Sequence, residues 1–474
     1  MTGRRLKVAL FEAAAPGRGD VFGSERLSLL AGDLRAGGHR ASVHVLGLGP
    51  TTEAVSFSRW LAADPFARRC DAVVFYRTVP PELLEALRRV NPSCRVLLFE
   101  SGRPFKAPAW LETVPSGRLA ALRRLERPRS AAPIPEPALY VPADLPFSPV
   151  LERVSIGRSS GSGRRAGVPE LLGRLGCPYR KSVGLNPAFR GVKLGGRVFL
   201  DRGCSMCLFR TAGGSRASEA DWTGSILRQL RWLLRLRPAP GRLRLCDHAP
   251  LDFLGPLLSR LRAEGFRGLT LAVDPRVDQL LSRRVDWAGL TREARSSGTR
   301  LDFTCVGFEN FSQPELDRLN KGTTVAQNIA ALRFLRGLRA AAPDVFTHES
   351  AAAGFILFTP WTTLRDLETN LRLLRALDFH EFRRDLAAAR LRLYPELPVY
   401  HLAARDGLLL DSAPEGWALG SGYAADHPWR FASGRTEAAY AAVRRTAEAG
   451  GRFGDDLAAL ELALRQARAR RPAA

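Results

Sequence analysis

Three of the chain's seven cysteines stand where a metal-binding or redox function would place them. Cys204-Ser-Met-Cys207 follows a short apolar run, residues 197–200, that reads as a β-strand, so both thiols fall in the loop at its carboxyl end. Two thiols at this spacing can hold one metal or cluster, because the short loop turns both sulfurs the same way. A tetrahedral zinc needs a second such pair, and the chain has no other C-x2-C. A redox dithiol would open a helix, which Gly213-Gly214 interrupts. Cys177 lies in a second dense motif, Gly176-Cys-Pro-Tyr-Arg-Lys-Ser182, followed by Asn186-Pro187 and Phe189-Arg190. Three thiolates on one cube of iron and sulfide would leave one iron open for a ligand. Cys246 and Cys305 fall on predicted strands and read as small core residues. The odd count in a long chain suits a reduced cytoplasm rather than a disulfide framework.

Other polar residues sit at the ends of predicted strands. His248, beside Asp247, could orient a ligand or shuttle a proton, or simply hydrogen-bond within its loop. Glu309 could contact a ligand, or serve as a helix cap or salt-bridge partner. His348-Glu349 is half of a zinc-protease motif, but the position of its second histidine is Ala352. Gly17-Arg-Gly19 completes no phosphate-binding pattern.

The elements that must position these residues alternate between strand and helix. Apolar runs at 7–11, 41–48, 71–77 and 95–100, with helical patterns at 24–34 and 81–90, predict a doubly wound, Rossmann-like parallel sheet over residues 1–126. Ligands of such sheets bind at the carboxyl ends of the strands. Residues 127–196 form a linker rich in Pro, Ser, Gly and Arg that carries the Cys177 motif. A second alternation has strands near 197–200, 242–246, 269–273, 301–306, 354–358 and 389–393. It predicts a (β/α)6 partial barrel over residues 197–400. Residues 401–474 read as a small, mostly helical region ending in a helix over 455–470.

Composition bounds the rest. With 45% hydrophobic and 25% charged residues, the 474-residue chain is globular rather than disordered or collagen-like. Its 71 basic against 47 acidic residues leave +24, and all but five of the basic ones are arginine. Such charge suits nucleic acid, an anionic membrane or an acidic partner. The arginines are scattered, however, as codon bias in a GC-rich genome would scatter them. Neither a basic RNA-binding appendage nor an aromatic-basic platform is evident. No apolar run reaches the roughly 18 residues that a membrane span needs. The basic N-terminus leads into a run that breaks at Glu12, a strand rather than a signal peptide.

The ordered motifs resemble the radical S-adenosylmethionine enzymes. Arg202–Phe209 looks like that family's cluster loop after the first barrel strand. Leu245-Cys-Asp247-His248-Ala-Pro250 falls where the second strand's end contacts the methionyl amino group. Val306-Gly-Phe-Glu309-Asn310, with Glu315-Leu and Leu319-Asn-Lys321-Gly, is similar to the family's G-x-E…L…K-G segment. Gly354-Phe-Ile-Leu-Phe-Thr-Pro360-Trp-Thr-Thr363, with Asp366, resembles its G-x-P-x-T…D segment. The match covers residues 175–410.

The resemblance implies a [4Fe-4S] cluster on Cys177, Cys204 and Cys207, and S-adenosylmethionine near Asp247, His248, Glu309 and Pro360. It also implies an external electron donor such as flavodoxin or ferredoxin. The usual cluster loop is C-x3-C-x2-C. In one alignment Leu200 replaces the first cysteine and Cys177 supplies the missing thiolate; in the other Arg210 replaces the third and the site is crippled. A doubly wound domain ahead of the barrel marks the cobalamin-binding subclass, although the loop after the first strand lacks the D-x-H-x-x-G histidine. The implied reaction is methyl transfer or rearrangement at an unactivated carbon of a small molecule or natural-product intermediate. The alternatives are a tRNA- or peptide-modifying radical enzyme and a non-catalytic scaffold.

Overall fold

A computed structural model describes residues 5–14, 37–47, 69–76, 81–99, 111–114, 154–156, 170–173, 177–194, 202–207, 219–236, 241–348, 353–387, 389–394, 397–411 and 427–469, together with Leu27, Leu30, Ala31, Leu34 and Arg35. The chain divides into two compact units. One comprises Met1–Leu172, Gly224–Pro240 and Glu415–Asp426; the other comprises Gly173–Thr223, Gly241–Pro414 and His427–Ala474.

The first unit holds six parallel strands, β1 (Lys7–Ala14), β2 (Arg40–Gly47), β3 (Ala72–Tyr76), β4 (Arg95–Phe99), β5 (Leu111–Val114) and β6 (Val154–Ile156), in the order β5-β4-β3-β1-β2-β6. The order reverses between β1 and β3, the place where doubly wound sheets leave a crevice. Strand side chains alternate between faces, and here both faces are apolar. Ala9, Phe11, Val73, Phe75, Val96 and Leu98 pack on one side with Leu84 and Leu87 of helix α1 (Pro81–Val90). Val8, Leu10, Ala72, Val74 and Leu97 pack on the other with Leu27, Leu30, Ala31 and Leu34. Those four follow the i, i+3, i+4, i+7 spacing of a helix's apolar stripe, and all are fully buried. Each buried leucine of this kind contributes about 1.5–3 kcal/mol. The four strands expected here are present, whereas β6 arises inside the expected linker. Strand β7 (Glu170–Leu172) closes this unit's first segment.

Helix α2 spans Glu219–Leu236. In the second unit β8 (Arg242–Cys246), β9 (Thr270–Val273), β10 (Arg300–Phe303) and β12 (Phe346–Thr347) pair in parallel, in that spatial order. Between them run α3 (Leu254–Ala263), α4 (Val277–Leu280), α5 (Trp287–Ser297), α6 (Gln313–Arg318) and α7 (Val325–Ala341). A separate parallel pair, β11 (Gly307–Glu309) with β13 (Gly354–Phe355), continues the chain direction. Helix α8 (Leu364–Ala376) starts at a capping box in which Thr363 and Asp366 satisfy each other's backbone N–H groups. Helices α9 (Pro398–Arg405), α10 (Gly434–Glu448) and α11 (Phe453–Ala469) follow. The strand expected at 197–200 lies outside the described residues. The strand expected at 389–393 is reduced to two isolated bridges, Arg390 with Phe358 and Leu393 with His427.

The strand expected at 301–306 breaks after Phe303. Thr304 Oγ1 and the Cys305 N–H both turn to the Asp274 carboxylate, which also accepts from Arg244. Satisfying that enclosed carboxylate takes precedence over extending the ladder. As a result Cys305 is exposed and not a core residue, whereas Cys246 is buried as expected.

Candidate functional site

The Cys177 segment and the Cys204 loop lie side by side. Ser182 and Arg202 form an antiparallel bridge, and the Gly203 N–H donates to Lys181 O at 2.9 Å. Asn186 caps the short turn Pro187–Phe189, and its amide donates to Asp317 O at 2.6 Å and to Asn320 Oδ1 at 3.2 Å. Asn320 in turn donates to Gly203 O at 2.8 Å. Gly203 itself has φ 87°, a left-handed turn that suits glycine.

Beyond that turn, Ser205 fixes the loop twice. Its N–H donates to Leu319 O at 2.8 Å and its hydroxyl to Arg318 O at 2.9 Å. The Cys207 N–H closes back on Cys204 O at 3.3 Å, so both thiols belong to one turn.

Arg276, at the N-cap of α4, joins the pieces. Its Nη1 donates to Cys204 Sγ at 3.3 Å and its guanidinium lies 4.2 Å above the centre of the Tyr179 ring. Its Nη2 donates to Lys321 O at 3.0 Å, and Asp278 balances its charge at 2.9 Å. Lys321 is buried and donates to Glu309 Oε1 at 2.8 Å. Burial opposes the charge on both cations. Cys204 and Asp278 outweigh it at Arg276, and Glu309 and Cys204 at Lys321, so both stay protonated above their ordinary ranges. Burial pushes the Cys177 thiol up, and Arg276 partly offsets that.

The expected site residues thus divide. Cys204 meets the Arg276–Tyr179 stack, Cys177 lies two residues before Tyr179 and within reach of the Arg276 charge, Cys207 shares the turn of Cys204, and Glu309 is held by Lys321. Asp247 is buried at the end of β8, where its Oδ1 accepts from the Ala249 N–H at 2.7 Å. His248 joins the same neighbourhood through its carbonyl, which accepts from Gln279 Nε2 at 3.1 Å, while Gln279 Oε1 accepts from the Arg276 N–H. Pro360 is buried, its carbonyl accepting from the Ala432 N–H at 2.8 Å, next to Thr359, whose hydroxyl donates to buried Glu315.

Among the described residues, no three His, Cys, Asp or Glu side chains converge to hold one metal ion. A cube of iron and sulfide carries its thiolates on separate irons, so it asks for spaced sulfurs in a cationic, water-poor setting. Cys177 and Cys204, close to Arg276 and Lys321, fit that requirement, and Cys207 shares the turn of Cys204. The Tyr179 hydroxyl, buried against Gly322 without a hydrogen-bond partner, gives the setting one unsatisfied polar atom.

Sequence reasoning missed Arg276, Asp278 and Gln279. Nothing in a chain this rich in arginine distinguishes one arginine before the fold buries it. Lys321 left a better signal, as one of only five lysines.

No known family profile matches the chain, and no curated protein matches it. Solved structures do. OxsB, a cobalamin-dependent S-adenosylmethionine radical enzyme, superposes with a TM-score of 0.54 at 14% identity over 92% of this chain in its apo, selenomethionine-labelled form. Its aqua-cobalamin-bound form gives 0.53 at 13% identity. The chain spans 66% of the length of OxsB. TsrM, a radical S-adenosylmethionine methyltransferase from Kitasatospora setae with cobalamin and a [4Fe-4S] cluster bound, gives 0.50 at 15% identity over 89% of this chain and 81% of its own. The chain shares the fold of cobalamin-dependent radical S-adenosylmethionine enzymes, as the motifs implied.

Proposed function

We propose that this protein is a cobalamin-dependent radical S-adenosylmethionine enzyme that modifies an unactivated carbon of a small molecule or natural-product intermediate, by methyl transfer or rearrangement. The observation that carries this reading is the meeting of Cys177 and Cys204, from separate segments, around one buried arginine. Its architecture is a Rossmann-like sheet with a partial (β/α)6 barrel, and OxsB and TsrM, which share the fold, bind the same cofactors. Cys177, Cys204 and Cys207 hold the cluster. Bound there, a [4Fe-4S] cluster supplies one electron to S-adenosylmethionine and so gives access to the radical that takes a hydrogen atom from carbon.

The chain's own residues bind and orient. Asp247 and His248, at the end of β8, would meet the methionyl amino group, Glu309, set by Lys321, would offer a polar contact, and Pro360 would line the ligand's pocket. Arg276 and Lys321 balance the negative charge of three thiolates, and the packed ring of Tyr179 keeps water from them. A cytoplasmic flavodoxin or ferredoxin supplies the electron. Cobalamin binds the crevice of the first unit without a histidine from the loop after β1.

Anaerobic reconstitution with iron and sulfide tests this. The expected result is about four irons per chain, lost on Cys177→Ala, Cys204→Ala or Cys207→Ala. A wild-type protein that takes up no iron ends the enzymatic reading and leaves the scaffold. Full iron in Cys177→Ala removes Cys177 from the ligand set. Incubation with hydroxocobalamin should give a corrinoid absorption band that co-elutes with the protein.

A further inference from the structure

We infer that Arg276 is a positioning residue that ties the Cys177 segment to the Cys204 loop and, by donating to the Cys204 sulfur, raises the reduction potential of the cluster. The second half of this inference rests on the cluster reading above; the first half stands on geometry alone. Arg276 makes four contacts that no other described side chain combines: Cys204 Sγ, the Tyr179 ring, Lys321 O and the Asp278 carboxylate. Two of these lie on the two cysteine segments, since Tyr179 is two residues beyond Cys177. The other two fix the guanidinium itself. Asp278 grips its Nε edge and Lys321 O accepts from Nη2, which leaves Nη1 aimed at the sulfur. A planar fork held on two sides and stacked on a ring has lost its rotamer freedom before any ligand arrives.

The electrostatic consequence follows from where charge appears. Reduction adds one negative charge to the cluster and its thiolates. A hydrogen bond and a fixed positive charge at a thiolate sulfur favour the more negative state, which raises the potential. Lys321 supplies charge nearby but no described hydrogen bond to sulfur, because its ammonium donates to Glu309.

The test uses the full chain in two states. In the iron-free protein, at a pH high enough to ionise the thiol in every variant, Arg276→Gln should leave Cys204 loose, so that its alkylation, mapped by mass spectrometry, accelerates severalfold, while Arg276→Lys stays near wild type. In the reconstituted protein, EPR-monitored redox titration should show Arg276→Gln about tenfold more oxidised at the wild-type midpoint, equivalent to about 59 mV for one electron. Arg276→Lys should recover at least part of that shift. If Arg276→Gln does not fold, Tyr179→Leu, which removes the surface under the guanidinium and no charge, should move both readouts in the same direction. Unchanged Cys204 alkylation in the folded variants overturns the positioning role. An unchanged midpoint with full iron overturns the effect on potential. A wild type that binds no iron fails the cluster reading instead, and the alkylation arm still decides the positioning role.

Discussion

The ammonium of Lys321 donates to the Glu309 carboxylate at 2.8 Å, and both side chains are almost wholly removed from solvent. The chain bends to make the pair: Glu309 sits at φ 61°, where a residue other than glycine rarely goes, and a β-carbon at Gly307 would collide with both partners. Removing one member of a buried pair strands the other, so Lys321→Met should cost about 3–5 kcal/mol. The double variant Glu309→Gln/Lys321→Met should recover part of that loss. Urea denaturation of the three proteins measures it, and a double variant no more stable than Lys321→Met refutes the coupling.

Gly322 allows a direct comparison of strain with crowding. It adopts φ +73°, and a β-carbon there would drive into the Tyr179 hydroxyl. Gly450 adopts φ +82° in open space. Alanine at either position carries the left-handed penalty of about 1–2 kcal/mol. Gly322→Ala alone also displaces Tyr179 from Arg276, so it should melt lower than Gly450→Ala. Equal melting temperatures would show that the Tyr179 stack yields freely.

His348 makes stability sensitive to mild acid. Its ring stacks on Phe382 at 4.4 Å between centroids, with Arg339 Nη1 3.2 Å from Nε2 and the Glu381 carboxylate at 3.6 Å. Arginine only donates, so Nε2 accepts and the proton of the neutral ring is on Nδ1. Burial, then the Arg339 charge, holds its pKa below the ordinary 6.5. The unfolded chain therefore takes up the proton first, and stability falls as pH drops from 6.5 through the folded value. Glu381 is also held low, against its burial, by Arg336 and His348, and adds a second loss below 4.5. Urea midpoints should decline as the pH falls below about 6.5, and His348→Phe should flatten that limb. A decline of the same size in the variant assigns it to other groups.

The remaining cysteines should separate by reactivity. Cys70 and Cys94 lie 3.6 Å apart in the apolar layer under α1, both nearly fully buried. Cys305 is reachable by solvent, yet the protein around it and then the Asp274 charge push its thiol up to about 12. Below that value, iodoacetamide on the native protein should label Cys305 about tenfold faster for each unit by which the pH is raised. Cys70 and Cys94 should react only after denaturation. Native labelling of Cys94 at the rate of Cys305 would contradict the packing of the first unit.

The sequence revealed what repeats and concealed what is singular. Val8–Phe11, Val73–Phe75 and Val96–Leu98 alternate between two apolar layers, and such runs are readable without a fold. β6 was hidden because three residues, Val154-Ser-Ile156, are too few to show a period amid Pro and Ser. Cys305 was misread because its exposure depends on Asp274, a neighbour only in space. For the site, Cys177, Cys204, Cys207 and Glu309 were legible from spacing and motif; the fold brings the Cys177 and Cys204 segments together at Arg276 and pairs Glu309 with Lys321. Arg276 was not, because its importance comes from burial against four partners on different elements. Pro360 matched its motif equally well, and it is joined to the cysteine loop only indirectly, from neighbouring Thr359 through Glu315 and Arg318 to Ser205.

The contacts that clamp the cysteine loops reach far along the chain. Arg276 lies 72 positions beyond Cys204, Arg318 lies 113 beyond Ser205, and Asp317 lies 131 beyond Asn186. Long-range closures form late, because the entropy of joining distant segments is lost before their contacts reward it. A nascent chain emerging from the ribosome therefore presents Cys177, Cys204 and Cys207 as separate, unguarded thiols until residue 321 has been made and docked. On the proposed function, delivery of iron and sulfide to these thiols must wait until residue 321 has been made and docked. Until then, the three thiols depend on a reducing environment to stay unpaired.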